Sequence, residues 1–247
     1  MSEGTATRRW RKLLRFSLRG MIVLVLVIGG GLGWLVRSAR IQHAAVAAVT
    51  GVGGSVMYDW QWNNRTSYTS DASYTGGASW VPKWVTDRVG TDYFGHVTSV
   101  WLYAISRDAD SVLIPVGRLK RLEWLSLIGS NISDTGLAHL STTPSLSRLE
   151  LDYTKISDAG LIHVERLKGL TILSLNGTRI TDSGLVHLKP LASLSELNLA
   201  GTPITDAGLV HLQALKSLSI LNVVNTKVAD QGIIALMKNR PGLRIYR

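Results

Sequence analysis

Four histidines, His139, His163, His187 and His211, recur at intervals of 24 residues. Imidazoles in a column could ligate a metal or sense pH. Aspartates keep the same step at Asp134, Asp158, Asp182, Asp206 and Asp230, and a row of carboxylates could bind calcium. Ser, His and Asp thus meet in every unit, the ingredients of nucleophilic catalysis. These chemistries fail for physical reasons. The repeat sets no carboxylate beside each His, as the outer shell of a metal site requires. Two imidazolium charges ~6 Å apart repel by only about 0.7 kcal/mol in water, too little for a sharp switch. Each Asp opens an expected helix, where its charge already suits the positive N-terminus, and carboxylates without carbonyl partners make a poor calcium cage. No G-x-S-x-G, H-E-x-x-H or phosphate-binding loop occurs. The 247 residues include no cysteine, which excludes disulfides, thiolate zinc sites and cysteine nucleophiles. The expectation is a chain that is not an enzyme, with no cofactor and no metal.

The periodic residues belong to a periodic structure. Leu125, Leu149, Leu173, Leu197 and Leu221 are 24 apart, and so are Gly136, Gly160, Gly184, Gly208 and Gly232. Five copies are clear, and Asp110 and Leu113 stay in frame in a worn earlier one. In the unit from Leu170, the spacing Leu170, Leu173, Leu175 predicts a short strand, and Asn176-Gly177 a turn. Ile180 points inward. Thr181 and Asp182 then start a helix, one of them capping it. Leu185, Leu188 and Leu191 give that helix an apolar stripe. No unit buries this set alone, so the units must stack, with strands in a parallel sheet on the concave side and helices on the convex side.

This pattern over residues 97–247 resembles the leucine-rich repeat family. The resemblance implies an α/β solenoid, right-handed, with a curved parallel sheet. Where many such repeats place Asn or Cys, the chain has Ser130, Thr154, Thr178, Thr202 and Thr226. Hydroxyls there should preserve the ladder as a Ser/Thr ladder. The phrase "ITDAGL" looks like the ribonuclease-inhibitor-like branch with its cysteine replaced. "RFSLRGMIVLV", "GGSVMYDW" and "PKWVTDRVGTDYFGHVTSVWL", followed by these repeats, resemble the membrane-anchored leucine-rich repeat proteins of planctomycete bacteria. That likeness implies no catalytic residues.

The formal charge is +10, but residues 1–40 hold eight of the 27 Lys and Arg and one of the 17 acids. Basicity therefore belongs to the N-terminus, and no nucleic-acid partner is expected. Met21–Val36 is uncharged and reads as a single transmembrane helix preceding the solenoid, with membrane lipid as its partner. The basic residues ahead of it place residues 1–20 as a cytoplasmic tail, and everything beyond about 37 outside the cytoplasmic membrane. A cleaved signal peptide is the competing reading, its cleavage site then near Ala45-Val46-Ala47. Residues 37–50 should extend the anchor as a stalk helix, ended by Gly51, Gly53 and Gly54. Residues 51–96 should form an N-terminal capping region. It opens on a strand whose Val56, Tyr58, Trp60 and Trp62 share one face, continues through a flexible loop at 63–79, and includes a short helix after Pro82.

The concave face is the best candidate surface. Trp124, Arg148, Glu150, Asp152 and Tyr153 crowd its first two units, and Asn176, Glu196, Asn198 and Asn222 follow in the smaller, more neutral later ones. An aromatic with an Arg and acids nearby is the composition of a protein-binding patch. The expected function is a non-catalytic, membrane-anchored protein-binding module; the alternative is a structural envelope protein that assembles with copies of itself.

Overall fold

The computed structural model describes residues 18–59, 82–90, 93, 95–106 and 109–247. The chain divides into two units, Met1–Arg40 and Ile41–Arg247. Helix α1 runs Leu18–Gly51 without a break, so the expected span and stalk are one element. Among the described residues, no helix is long and apolar enough to cross a membrane.

Within the second unit, the end of α1 is a cap and not a free stalk. Ala45 and Val49 are 1% and 0% exposed and belong to the main core. The buried Gln42 donates from Nε2 to the Gly95 carbonyl at 3.0 Å and accepts from the Val97 amide at 2.8 Å. One amide side chain therefore satisfies two backbone groups that the sheet itself leaves unpaired. The helix stops where Gly53 takes φ +84° and the Gly54 amide bonds back to the Val49 carbonyl at 2.9 Å. That positive φ is a glycine position.

Strand β1, Ser55–Tyr58, follows and pairs antiparallel with β2, Val97–Trp101. Helix α2, Lys83–Val89, lies between them in sequence, with Pro82 just ahead of it. The expected alternation of β1 is broken: Met57 and Tyr58 are both buried, because the register shifts between them. A bulge turns two successive side chains to one side. Trp60, Trp62 and the loop at 63–79 lie outside the described residues.

From β2 onward the sheet is parallel and strictly ordered. Helix α3, Ala109–Val116, leads to β3, Trp124–Ser126; α4, Asp134–Leu137, with a 3₁₀ turn at Ala138–Leu140, leads to β4, Arg148–Glu150; α5, Asp158–Val164, leads to β5, Ile172–Ser174. A 3₁₀ helix, Gly184–Leu188, leads to β6, Glu196–Asn198; α6, Asp206–Leu212, leads to β7, Ile220–Asn222; α7, Asp230–Asn239, leads to β8, Arg244–Tyr246. The eight strands lie in sequence order. Leu125, Leu149, Leu173, Leu197 and Leu221 pair directly across the sheet and are buried. The worn first unit differs in length: Val100 pairs with Leu125, so its strand-to-strand step is one residue longer than the others.

The aspartate column proves to be a staple between units. Asp134 accepts from the Ser157 amide at 2.8 Å and hydroxyl at 2.5 Å. Asp158 does the same with Thr181, and Asp182 with Thr205, at 2.8 and 2.6 Å in each case. Asp110 holds the Ser133 amide and hydroxyl. In α5 and α6 the helix is capped instead by the hydroxyl just before the Asp: Ser157 accepts from the Ala159 amide and Thr205 from the Ala207 amide. The glycine column has the same cause. A Cβ on Gly184 would lie 2.3 Å from Asp158 Oδ1, and one on Gly208 2.3 Å from Asp182 Oδ1. Glycine is needed so that the previous unit's carboxylate can reach across.

Candidate functional site

Side chains two apart on a strand share a face. With the leucines turned to the core, the positions on either side of them form two rows on the sheet's open face. One row runs Trp124, Arg148, Ile172, Glu196 and Ile220; the other runs Ser126, Glu150, Ser174, Asn198 and Asn222. All nine sequence candidates therefore lie on these rows or in the turns that follow them.

The first cluster is compact. The Trp124 ring meets Trp101 edge-on, with centroids 5.3 Å apart and planes at 74°. The Arg148 guanidinium carbon sits 4.4 Å from the Trp124 ring centroid, a cation–π distance. Arg148 also donates to Glu150 Oε1 from Nε at 2.8 Å and Nη2 at 2.6 Å. Glu150 is only 9% exposed, and its buried charge is matched by this guanidinium. A cleft of about 350 Å³ opens beside them, lined by Asp59, Thr98, Ser99, Glu123, Trp124, Ser147, Arg148, Thr171 and Ile172. A volume of this order holds one or two side chains of a partner.

A second group continues the face. Asp152 Oδ1 accepts from the Ser174 hydroxyl at 2.5 Å and the Asn176 amide at 2.8 Å. Asn198 Nδ2 donates to Ser174 Oγ, and Asn176 Nδ2 to the Tyr153 hydroxyl, both at 3.0 Å. Tyr153 is exposed and takes φ +56°. Its ring lies where a Cβ on Gly177 would stand 2.6 Å away, so Gly177 makes room for it. Asn198 and Asn222 also accept turn amides through Oδ1, from Ala200 at 3.1 Å and Val224 at 3.0 Å. Those two asparagines hold turns as much as they present a surface. Glu196 stands apart from both groups, between Ile172 and Ile220.

Burial raises the Asp152 pKa above its ordinary value, and the Glu150 charge adds to it; the Ser174 and Asn176 bonds and Arg148 pull the other way. A carboxyl whose folded pKa exceeds its unfolded one binds more protons when folded. Its contribution is fully present below the unfolded pKa and is lost as pH rises through the folded one. Asp152→Asn keeps the accepting oxygen and removes the charge. It is expected to raise the melting temperature at pH 7 and to make no difference near pH 3, in thermal unfolding followed by circular dichroism.

A sequence model of the family described as "Leucine Rich repeat" matches residues 170–188 and 191–212. The two matched segments are leucine-rich repeats. Among solved structures, an internalin from Listeria monocytogenes aligns with 60% of this chain and 46% of its own, at 19% identity and a TM-score of 0.44. Internalin C2 from the same species aligns with 63% of this chain and 81% of its own, at 17% identity and 0.44. A leucine-rich repeat protein of Leptospira interrogans aligns with 54% of this chain and 33% of its own, at 24% identity and 0.44. The chain thus spans less than half of the first and third of these. No curated protein matches it.

The hydroxyl ladder of the stacked units is not where the sequence pattern placed it. Thr154, Thr178, Thr202 and Thr226 each donate to the carbonyl three residues back in their own unit. Ser130 alone of this column reaches the previous unit, donating to the Leu102 carbonyl at 2.7 Å. The ladder that crosses units is a second column. Ser147 donates to Glu123, Thr171 to Ser147, Ser195 to Thr171 and Ser219 to Ser195, each to the backbone carbonyl of the preceding unit. Its signal was present in the sequence as four hydroxyls spaced by 24. Ser147 and Thr171 also line the cleft, and sequence reasoning missed both, along with Thr98, Ser99, Asp59 and Trp101.

The histidines lie on the helix side. His187 Nδ1 meets Glu165 Oε2 at 3.0 Å, a pairing that does not recur, because Ser141, Lys189 and Gln213 stand where Glu165 does. Among the described residues, no three His, Asp or Glu side chains are grouped to hold a metal ion.

Proposed function

We propose that the chain is a non-catalytic protein-binding module whose contact surface is the open face of the sheet at its first repeats. Leucine-rich repeat folds are commonly protein-binding. The observation that carries the proposal is the Arg148 guanidinium held over Trp124 beside an open cleft. An aromatic and an Arg already fixed in place lose little side-chain entropy when a partner covers them, which is the physical character of a binding hot spot. Asp152, Tyr153 and Asn176 extend the same surface. The double variant Trp124→Ala/Arg148→Ala is expected to lose at least one envelope protein that the unaltered chain retains in a pull-down, with its urea unfolding remaining cooperative. Equal capture by both chains would refute the assignment of this face.

Three finer readings belong to this proposal. The repeats are placed in the ribonuclease-inhibitor-like branch on the "ITDAGL" phrase. The whole chain is compared with membrane-anchored leucine-rich repeat proteins of planctomycete bacteria. The N-terminus is assigned to the cytoplasm and the repeats to the far side of the cytoplasmic membrane, on the support of the uncharged Met21–Val36 and the basic residues before it. Protease added to intact spheroplasts should remove the repeats; their protection would refute that topology.

A further inference from the structure

A second surface, on the helix side, also keeps the 24-residue step. Ile114, Ala138, Ile162, Val186, Val210 and Ile234 occupy one position of successive units. The buried stripe of each helix faces the core through other residues, such as Leu161 and Val164 in α5. The Ile and Val members of this column point outward, from 39% exposed at Val186 to 67% at Ile234. Single exposed apolar residues are ordinary, but a row of them on adjacent units forms a contiguous patch.

Charge says what the patch fits. Three or four residues beyond these stand Arg118, Arg166 and Lys189, in the turns just past the helix ends, and Lys238, within α7; all four are exposed. The segments from the column to the following strand hold two acids: Glu165, paired with His187, and Glu123, which lines the cleft beside Trp124. The recurrent aspartates sit at the opposite ends of the helices, where Asp110, Asp134, Asp158 and Asp182 are tied into the staples. An apolar stripe bordered by cations with almost no acid is the pattern of a surface that lies on anionic lipid, the apolar groups entering the acyl boundary and the cations meeting head groups.

We infer that the helix side of the solenoid docks on an anionic membrane surface through this column and its basic border. This leaves the open face of the sheet turned away from the lipid and free for the partner proposed above, but it does not depend on that partner. The chain has no cysteine, so a single environment-sensitive dye can be placed on Val186→Cys in the full chain, with a second sample labelled at Asn198→Cys on the open face. On phosphatidylcholine vesicles containing phosphatidylglycerol, the emission at Val186→Cys is expected to shift to the blue while that at Asn198→Cys does not. The shift should disappear at high salt and in the background Arg118→Gln/Arg166→Gln/Lys189→Gln. Because the N-terminal apolar segment is present in every sample, vesicle binding alone is not the readout. The inference is overturned if Val186→Cys shows no shift, if the shift is equal on pure phosphatidylcholine or survives the triple substitution, or if it appears without vesicles as concentration rises, which would make a second copy the occupant.

Discussion

Gly184→Ala is expected to destabilise the solenoid by about 1–3 kcal/mol, and to cost almost nothing once Asp158 has been replaced by alanine. The new Cβ would stand 2.3 Å from Asp158 Oδ1, so the carboxylate must swing away and release the Thr181 amide and hydroxyl. Overpacking of this kind costs about 1–3 kcal/mol. Asp158→Ala releases the same two groups directly, and hydrogen bonds to a charged partner are worth about 1.5–3 kcal/mol. The double variant loses the bonds only once and no longer meets the carboxylate, leaving only a 3.2 Å approach to the Cα of residue 158. A double-mutant cycle in urea should therefore give a coupling of about 1 kcal/mol or more, where independent sites would add. Additive costs would mean that glycine serves some other purpose there. The last interface supplies the converse. Asp206 holds only the Ala229 amide, at 2.7 Å, and α7 has no side-chain cap. Ala229→Ser adds the missing hydroxyl and should stabilise the chain by about 1 kcal/mol.

The second large effect is expected in the core. Leu173 is fully buried at the centre of the leucine row, between Leu149 and Leu197. Leu173→Ala should cost about 2–5 kcal/mol, the range for a buried leucine that leaves a cavity. Each unit of a stack is held by its neighbours, so the loss weakens two interfaces. Ile233→Ala, in the partly buried wall of the last helix, should cost about 1 kcal/mol, the loss of a few methyl groups from a half-covered site. Urea midpoints at constant slope would show both. Similar values at the two positions would contradict a continuous core that thins at its end.

The staples explain how the same sequence could be read correctly for its fold and incorrectly for its columns. Leucine spacing determines which side chains are inside, because apolar burial drives folding more than any other contribution and has a period that sequence displays. It does not say which unit a polar side chain serves. Asp158 looks like a helix-starting charge in its own unit, yet its partner Thr181 is 23 residues on. Thr178 looks like a rung between units and bonds within its own, while Ser147 and Thr171 make the rungs from the position before each strand. Polar reach across a stack depends on offsets of a few ångströms that no one-dimensional pattern contains. The same holds for the site. Trp124 and Arg148 were legible as neighbours, since a step of 24 places them side by side on the open face. The cleft was only half legible, because Asp59, Thr98 and Ser99 reach it through the antiparallel pairing of β1 with β2. That pairing lies outside the repeat and has no period to reveal it. The role of Gln42, which turns the end of an expected stalk into a cap, is hidden for the same reason.

Units stacked in one parallel register set Arg148 beside Trp124, and both the fold and the binding face depend on that register. Nuclear Overhauser contacts in a ¹⁵N- and ¹³C-labelled chain test it most directly. The prediction is a series of contacts between residues 24 apart, from Leu125 to Leu149 to Leu173 to Leu197, together with contacts from the Trp124 indole to the Arg148 side chain. Strand contacts that reverse direction along the repeats, or a Trp124 indole in contact with residues remote from Arg148, would contradict both the fold and the site built on it.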